Sequence, residues 1–202
     1  MMKYLAYIFL IACLSGCYPQ GPKYTSELDL AVTNYDIGFD FESADTYILV
    51  DSIFYNEEGD EISRNYDQDI LNRIEANMSM LGFTRADTPE SPGEWLNTDV
   101  DVVITVSAWS ETDIDYYSGY YPAYWDPGWG WYYPPGWGFA TTTTYGSVLI
   151  DMSDPSLYQE EEVRIVWSGL INGMINSSSP SSIRQRIDTE IDICFSHPPF
   201  NN

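Results

Sequence analysis

The stretch Asp99 to Trp109, DVDVVITVSAW, puts Val100, Val102, Ile104, Val106 and Ala108 on one side of an extended chain. Successive side chains of a strand point to opposite faces, so this run predicts a strand with one buried face. Such a strand needs partner strands and a layer to cover its apolar side. Thr142 to Met152 carries Val148, Ile150 and Met152 in the same phase, and Val163 to Ile171 carries Val163, Ile165, Trp167 and Ile171. A connection across Asp154 to Glu162, with Pro155 and three consecutive glutamates, makes these two a predicted hairpin. Thr46-Tyr47-Ile48-Leu49-Val50 reads as a further strand and Leu28 to Val32 as a candidate edge strand.

Two segments switch to the helical period. In Asp67 to Leu81, Ile70, Ile74, Met78 and Leu81 recur at spacings of 4, 4 and 3, with Asp67 as expected N-cap and Gly82-Phe83 suited to a left-handed C-terminal cap. After Ser179-Pro180, Ile183, Ile187, Ile191 and Cys194 repeat that spacing, and the helix is expected to end before His197-Pro198. The expected order is strand, helix, three strands, helix. This predicts an α+β fold: a two-layer sandwich of a mostly antiparallel β-sheet with two helices packed on one face.

The N-terminus belongs to no such layer. Met1-Met2-Lys3 precedes an apolar run of 11 residues, Tyr4 to Leu14, which is signal-peptide length and short of the ~20 residues a spanning helix needs. It closes on Leu14-Ser15-Gly16-Cys17, the pattern of a bacterial lipobox, where small residues admit the peptide to the signal peptidase and the thiol takes diacylglycerol. Residues 1–16 are therefore expected to be a cleaved signal, with scission between Gly16 and Cys17. Residues 17–27 are expected to be a lipidated cysteine and Pro/Gly tether, and residues 28–198 a single domain. Acyl chains contribute on the order of 0.8 kcal/mol per buried CH2, and more than one chain gives stable anchoring, so the expected partner of Cys17 is membrane lipid. Tyr18, where an inner-membrane retention signal would have Asp, makes the outer membrane the expected address.

Loss of Lys3 with the leader lowers the 8 Lys+Arg by one, to 7 against 31 Asp+Glu, a formal charge of −24. That balance repels phosphate backbones and excludes nucleic acid as an expected partner. The acids are scattered, which reads as a solvated surface; attraction of Ca2+ or a basic partner is the sharper alternative. Cys13 leaves with the leader and Cys17 is capped, so Cys194 remains as the one thiol, on an apolar helix stripe where a small core residue is expected.

Several of these pieces occur together in a known family. Thr46 to Val50, the strand Tyr145-Gly146-Ser147-Val148-Leu149-Ile150-Asp151-Met152-Ser153-Asp154, the segment Val166-Trp167-Ser168-Gly169 and the closing Ile183-to-Phe195 helix resemble the bacterial lipoprotein family DUF4136 over about residues 28–198. Members typically show a G-T-L-x-I-D-L-x-D strand, a V-W-x-G strand and a variable Gly/Tyr/Trp-rich loop. This chain departs in having Ser147 for the usual threonine and a longer Asp154-to-Glu162 turn. The resemblance implies an anchored envelope domain and no activity.

Residues 116–138 form the variable loop, and 11 of the 22 residues from Tyr116 to Trp137 are Tyr or Trp. Its Gly and Pro content excludes helix or central strand. Tyr120, Tyr121, Tyr124, Trp125, Trp129, Trp131, Tyr132, Tyr133 and Trp137 could form a platform for sugar rings or a partner peptide, or could fold back over the sheet without a ligand. Catalysis has little to draw on. His197 and Lys23 are the only histidine and lysine after the leader, which leaves no ordinary Ser-His-Asp or Ser-Lys site, no zinc site and no expected cofactor. The expectation is a non-catalytic envelope module with a protein or glycan partner; the alternative is a carboxylate-dependent glycan hydrolase or glycan-binding protein using the aromatic loop.

Overall fold

The computed structural model describes residues 31–56, 63–89, 94, 98–109, 114–116, 130–132, 140–142, 146–159, 162–175 and 179–201. Nine strands lie among them: β1 (Ala31–Tyr35), β2 (Thr46–Asn56), β3 (Thr84–Arg85), β4 (Val102–Trp109), β5 (Ile114–Tyr116), β6 (Gly130–Tyr132), β7 (Ala140–Thr142), β8 (Ser147–Gln159) and β9 (Glu162–Ile171). Helix α1 spans Asp67–Met80 and α2 spans Pro180–Ser196. The main sheet runs β1-β9-β8-β4-β2-β3, with β6 also on β9, and β5 pairs with β7 separately. Pairings β1–β9, β8–β9 and β4–β8 are antiparallel. The pairing β2–β4 is parallel, because the chain leaves β2 through α1 and must cross the sheet to return.

Both helices behave as their spacing predicts. Ile70, Ile74 and Met78 of α1 and Ile183, Ile187, Ile191 and Cys194 of α2 are buried in one core with alternate residues of the strands, so the two helices cover one face. Each such side chain taken fully out of water contributes about 1.5–3 kcal/mol. Across the helix layer, the Arg73 guanidinium donates to Asp192, which also accepts from Asn77 Nδ2 at 2.8 Å. Helix α1 ends as the glycine predicts: Gly82 has φ 91°, its N–H donates to Ser79 O at 3.1 Å, and the Phe83 N–H donates to Met78 O at 3.0 Å. Its start differs. A 3-10 turn, Arg64–Tyr66, precedes it, Tyr66 is the N-cap, and Asp67 lies in the first turn, where its carboxylate accepts from the Tyr55 hydroxyl.

Three strand expectations need correction. The hairpin connection is shorter than Asp154 to Glu162, since β8 continues to Gln159 and pairs there with Glu162. Of the Val163, Ile165, Trp167, Ile171 face, Val163 packs in a second cluster with Ile48, Val50, Phe54 and Val103, while Trp167 and Ile171 join the helix-side core. A register shift between Met152 and Ser153 changes the phase of β9 within the run, which strict alternation cannot foresee. Nor is β4 half-buried: Val103 and Thr105, opposite the helices, are as buried as Val102 and Ile104, and Val100 precedes the strand and packs against the second cluster. Among the described residues no helix is long and apolar enough to cross a membrane.

Val166-Trp167-Ser168-Gly169 has a physical reason. The Trp167 indole is fully buried against Phe195 and Phe200, with ring centroids 5.1 and 5.7 Å away, and lies across Gly169. Phe200 also meets Phe41 edge-on at 5.7 Å, so the segment after α2 closes the end of the core.

Candidate functional site

A recess of about 410 Å³ opens at one end of the sheet. Four parts of the chain build it: the β1–β2 connection with Asp36, Gly38, Phe39, Asp40 and Ser43, the approach to β4 with Asp99, Val100 and Asp101, late β8 with Asp154 and Ser156, and early β9 with Arg164 and Val166. Pairing explains the convergence. β1 ends on β9 with the Asp36 N–H donating to Val166 O at 2.8 Å, and Asp154 stands opposite Arg164 across the hairpin.

Asp36 is buried and ion-paired with Arg164, whose side chain is about one third exposed. Burying a carboxylate is costly unless it is paired and hydrogen-bonded, and Asp36 Oδ1 also accepts from the Gly38 N–H at 2.8 Å. Gly38 fits because a Cβ there would approach Asp36 Oδ1 to 3.2 Å. Asp154, also buried, accepts from the Ser156 N–H and hydroxyl at 2.8 and 2.6 Å. Asp101 ties the starts of β2 and β4: its Oδ2 accepts from Thr46 Oγ1 at 2.7 Å and from the Asp45 and Thr46 N–H groups at 2.9 Å each. Burial on its own would raise its pKa, but these hydrogen bonds outweigh it and hold the carboxyl below the ordinary aspartate range.

The described lining therefore offers five carboxylates, one engaged guanidinium, two hydroxyls and an apolar wall of Phe39, Val100 and Val166. It contains no histidine, lysine or thiol, and among the described residues no group of three or more His, Cys, Asp or Glu is placed to hold a metal ion. Cys194 sits elsewhere, fully buried in the helix-side core, where burial pushes its thiol up to about 12. His197 follows α2, with its N–H on Cys194 O at 3.3 Å.

Of the residues singled out by sequence, Cys194 and His197 do not line the recess. Gly16, Cys17, Tyr120, Tyr121, Tyr124, Trp125, Trp129, Tyr133 and Trp137 lie outside the described residues. Trp131 and Tyr132 belong to β6, which pairs in parallel with β9 and sets Tyr132 opposite Arg164. The aromatic segment is thus not loop throughout; its middle is an edge strand held by backbone hydrogen bonds, which composition does not report. The recess was missed because its residues span positions 36 to 166 with no common spacing.

The fold and recess define an α+β envelope of two helices on one face of a mixed, largely antiparallel sheet. The chain belongs to the family described as Domain of unknown function (DUF4136), which it matches over residues 31–200. It is similar in fold to a crystal structure of a DUF4136 family protein from Bacteroides thetaiotaomicron, with TM-score 0.63 and 24% identity over 85% of this chain and 96% of that one. A PelC dodecamer from Paraburkholderia phytofirmans gives TM-score 0.44 and 12% identity over 83% and 96% of the two chains. A PDZ domain protein from Parabacteroides distasonis gives 0.46 and 12% over 85% and 36%. No curated protein matches the chain.

Proposed function

We propose that this DUF4136 chain is a lipid-anchored envelope module that binds and does not catalyse, held to the outer membrane through an acylated Cys17 and receiving its ligand in the recess at Asp36 and Arg164. The observation that carries the binding role is the recess itself. It is open and strongly acidic, and its described polar groups are carboxylates, a guanidinium already paired with Asp36, and hydroxyls engaged with Asp40 and Asp154. Such a lining orients a ligand by charge and hydrogen bonds but offers no activated nucleophile beside a base. The anchor is supported by Leu14-Ser15-Gly16-Cys17 after an apolar run of signal length.

The test is fractionation of the full chain produced in a bacterial host with lipoprotein processing, beside Cys17→Ser. The parent is expected in the membrane fraction with residues 1–16 removed and an acylated N-terminal Cys17 peptide by mass spectrometry, and the variant with its leader uncleaved and no acyl group. A parent whose Cys17 peptide is unacylated refutes the anchor. Deleting residues 116–137 is a poor test of binding, because β6 is part of the sheet.

A further inference from the structure

Resting on the binding role of the recess, and independent of the anchor, we infer that the recess takes a basic segment of a partner protein: a lysine or arginine side chain along the apolar wall with its cationic end among the acids, and the flanking peptide at the Asp36–Arg164 pair. One support is charge that the domain leaves unanswered. Of the five lining carboxylates, Asp36 has the Arg164 guanidinium, and Asp101 has three donors from Asp45 and Thr46. Among the described residues, Asp40, Asp99 and Asp154 have no cation within ion-pair reach. The Asp40 carboxylate takes a long bond from the Ser43 N–H at 3.3 Å, Asp154 is engaged through Oδ1 alone, and Asp99 has no described partner. Like charges around one cavity repel, and a cation among them relieves all three.

A second support is independent of the acids' number. Asp36 is more than nine-tenths buried, yet its Oδ2 meets the guanidinium by charge and accepts no directed hydrogen bond, and Arg164 Nε donates none. Buried polar atoms are nearly always satisfied, so this pair has an acceptor and a donor to spare in the recess lining. The Arg164 side chain is about one third exposed, which opens the pair to a ligand from the guanidinium side. A peptide brings both an N–H and a C=O, whereas a bare amine brings no acceptor. Ca2+ is the poorer occupant, because it gathers about six to eight oxygens around one point, and among the described residues no three acids are so placed. The wall of Phe39, Val100 and Val166 suits the methylene stem that lysine and arginine bury while the charged head reaches polar groups. At about 410 Å³ the recess has room for backbone beside one such side chain. The chain's formal charge of −23 steers a basic partner toward it and repels anionic ones.

The test is an amide NMR titration of residues 17–202 carrying Cys17→Ser, with end-blocked tripeptides that hold lysine, norleucine or glutamate between two alanines, and with n-butylamine, which has the lysine stem and charge without a peptide. The lysine peptide is expected to shift the Gly38 and Ser156 amides saturably, the norleucine and glutamate peptides to leave them in place, and butylamine to bind several-fold more weakly. Asp40→Asn and Asp99→Asn, both at exposed positions, should each weaken the lysine peptide several-fold. Norleucine or butylamine binding as tightly as the lysine peptide, or a lysine peptide indifferent to both substitutions, overturns the proposal. If the norleucine or glutamate peptide moves those amides and the lysine peptide does not, the recess binds and only its assignment to a basic segment is lost. If no probe moves them, the binding role of the recess falls as well.

Discussion

Replacing Gly169 with alanine measures how tightly the family's tryptophan–glycine pair is packed. A Cβ at position 169 would stand 2.6 Å from Trp167 Cη2, 3.2 Å from Trp167 Cζ2 and 3.3 Å from Cys194 Sγ. The first separation is one that side chains do not tolerate, so the indole must move. It is fully buried and backed by Phe195 and Phe200, and moving it displaces both rings. Overpacking of this sort costs about 1–3 kcal/mol. Alanine recovers roughly 0.4–1 kcal/mol by restricting the unfolded chain. Gly169 is outside the left-handed region, so backbone strain adds nothing. The balance is a loss of about 1–2 kcal/mol, or roughly 2–8 °C in Tm for a domain of this size. Urea unfolding of the Cys17→Ser chain, followed by far-UV circular dichroism, reads it. The decisive control repeats the substitution in a Trp167→Leu background, where the clashing atoms are gone and the alanine should be tolerated. If Gly169→Ala costs as much without the indole as with it, the contact is not the cause and the reasoning fails.

Two other outcomes follow from buried groups. Because Cys194 is sealed in the core with its thiol pushed up to about 12, a thiol reagent at pH 8 should leave the native Cys17→Ser chain, freed of its leader, unmodified and label it once in urea; rapid native labelling would show that the helix α2 stripe opens. Asp101 has its pKa lowered by folding, so its contribution is present above the unfolded aspartate pKa and is lost as pH falls through the lower folded value. Asp101→Asn should therefore destabilise the domain at pH 7, and the gap from the parent should close in acid below the ordinary aspartate range; a gap that stays constant with pH would show that the charge is not what Thr46 and Asp45 hold.

The helical faces were legible because a 3.6-residue period survives any change in strand register: Ile70, Ile74, Met78, Ile183, Ile187, Ile191 and Cys194 all reach the core. Strand faces were legible only between irregularities. The shift between Leu49 and Ile53 sets four residues of β2 against two of β4, so the phase is kept and both residues stay on the helix side, whereas the one at Met152 separates Val163 from Trp167. The shift at Met152 adds one residue on β9, and that reverses everything beyond it in a period-2 reading. Burial of the sheet face away from the helices was invisible for a different reason. Asp151 and Ser168 look solvated in sequence, yet they are buried and hydrogen-bonded to one another across β8 and β9. Cross-strand satisfaction of polar groups depends on which strands are neighbours, and the order β9-β8-β4-β2 is not written in any one segment.

Of the long strands, β8, β9 and β4, of 13, 10 and 8 residues, lie inside the sheet, whereas β2, of 11, is covered by β3 only at Thr46 and Tyr47. The sheet's margins are made of fragments: the two residues of β3 on one side, and on the other the five of β1 and three of β6, which share β9 and run in opposite directions along it. Molecules tethered to a surface are confined to two dimensions and meet far more often than the same number in free solution. A straight, uncovered strand margin would then be a template for chaining one copy to the next through backbone hydrogen bonds. Among the described residues, the β1 and β6 margin is short and of mixed direction and offers a second copy little to pair with, which leaves β2 beyond Tyr47 as the edge where such chaining would have to start.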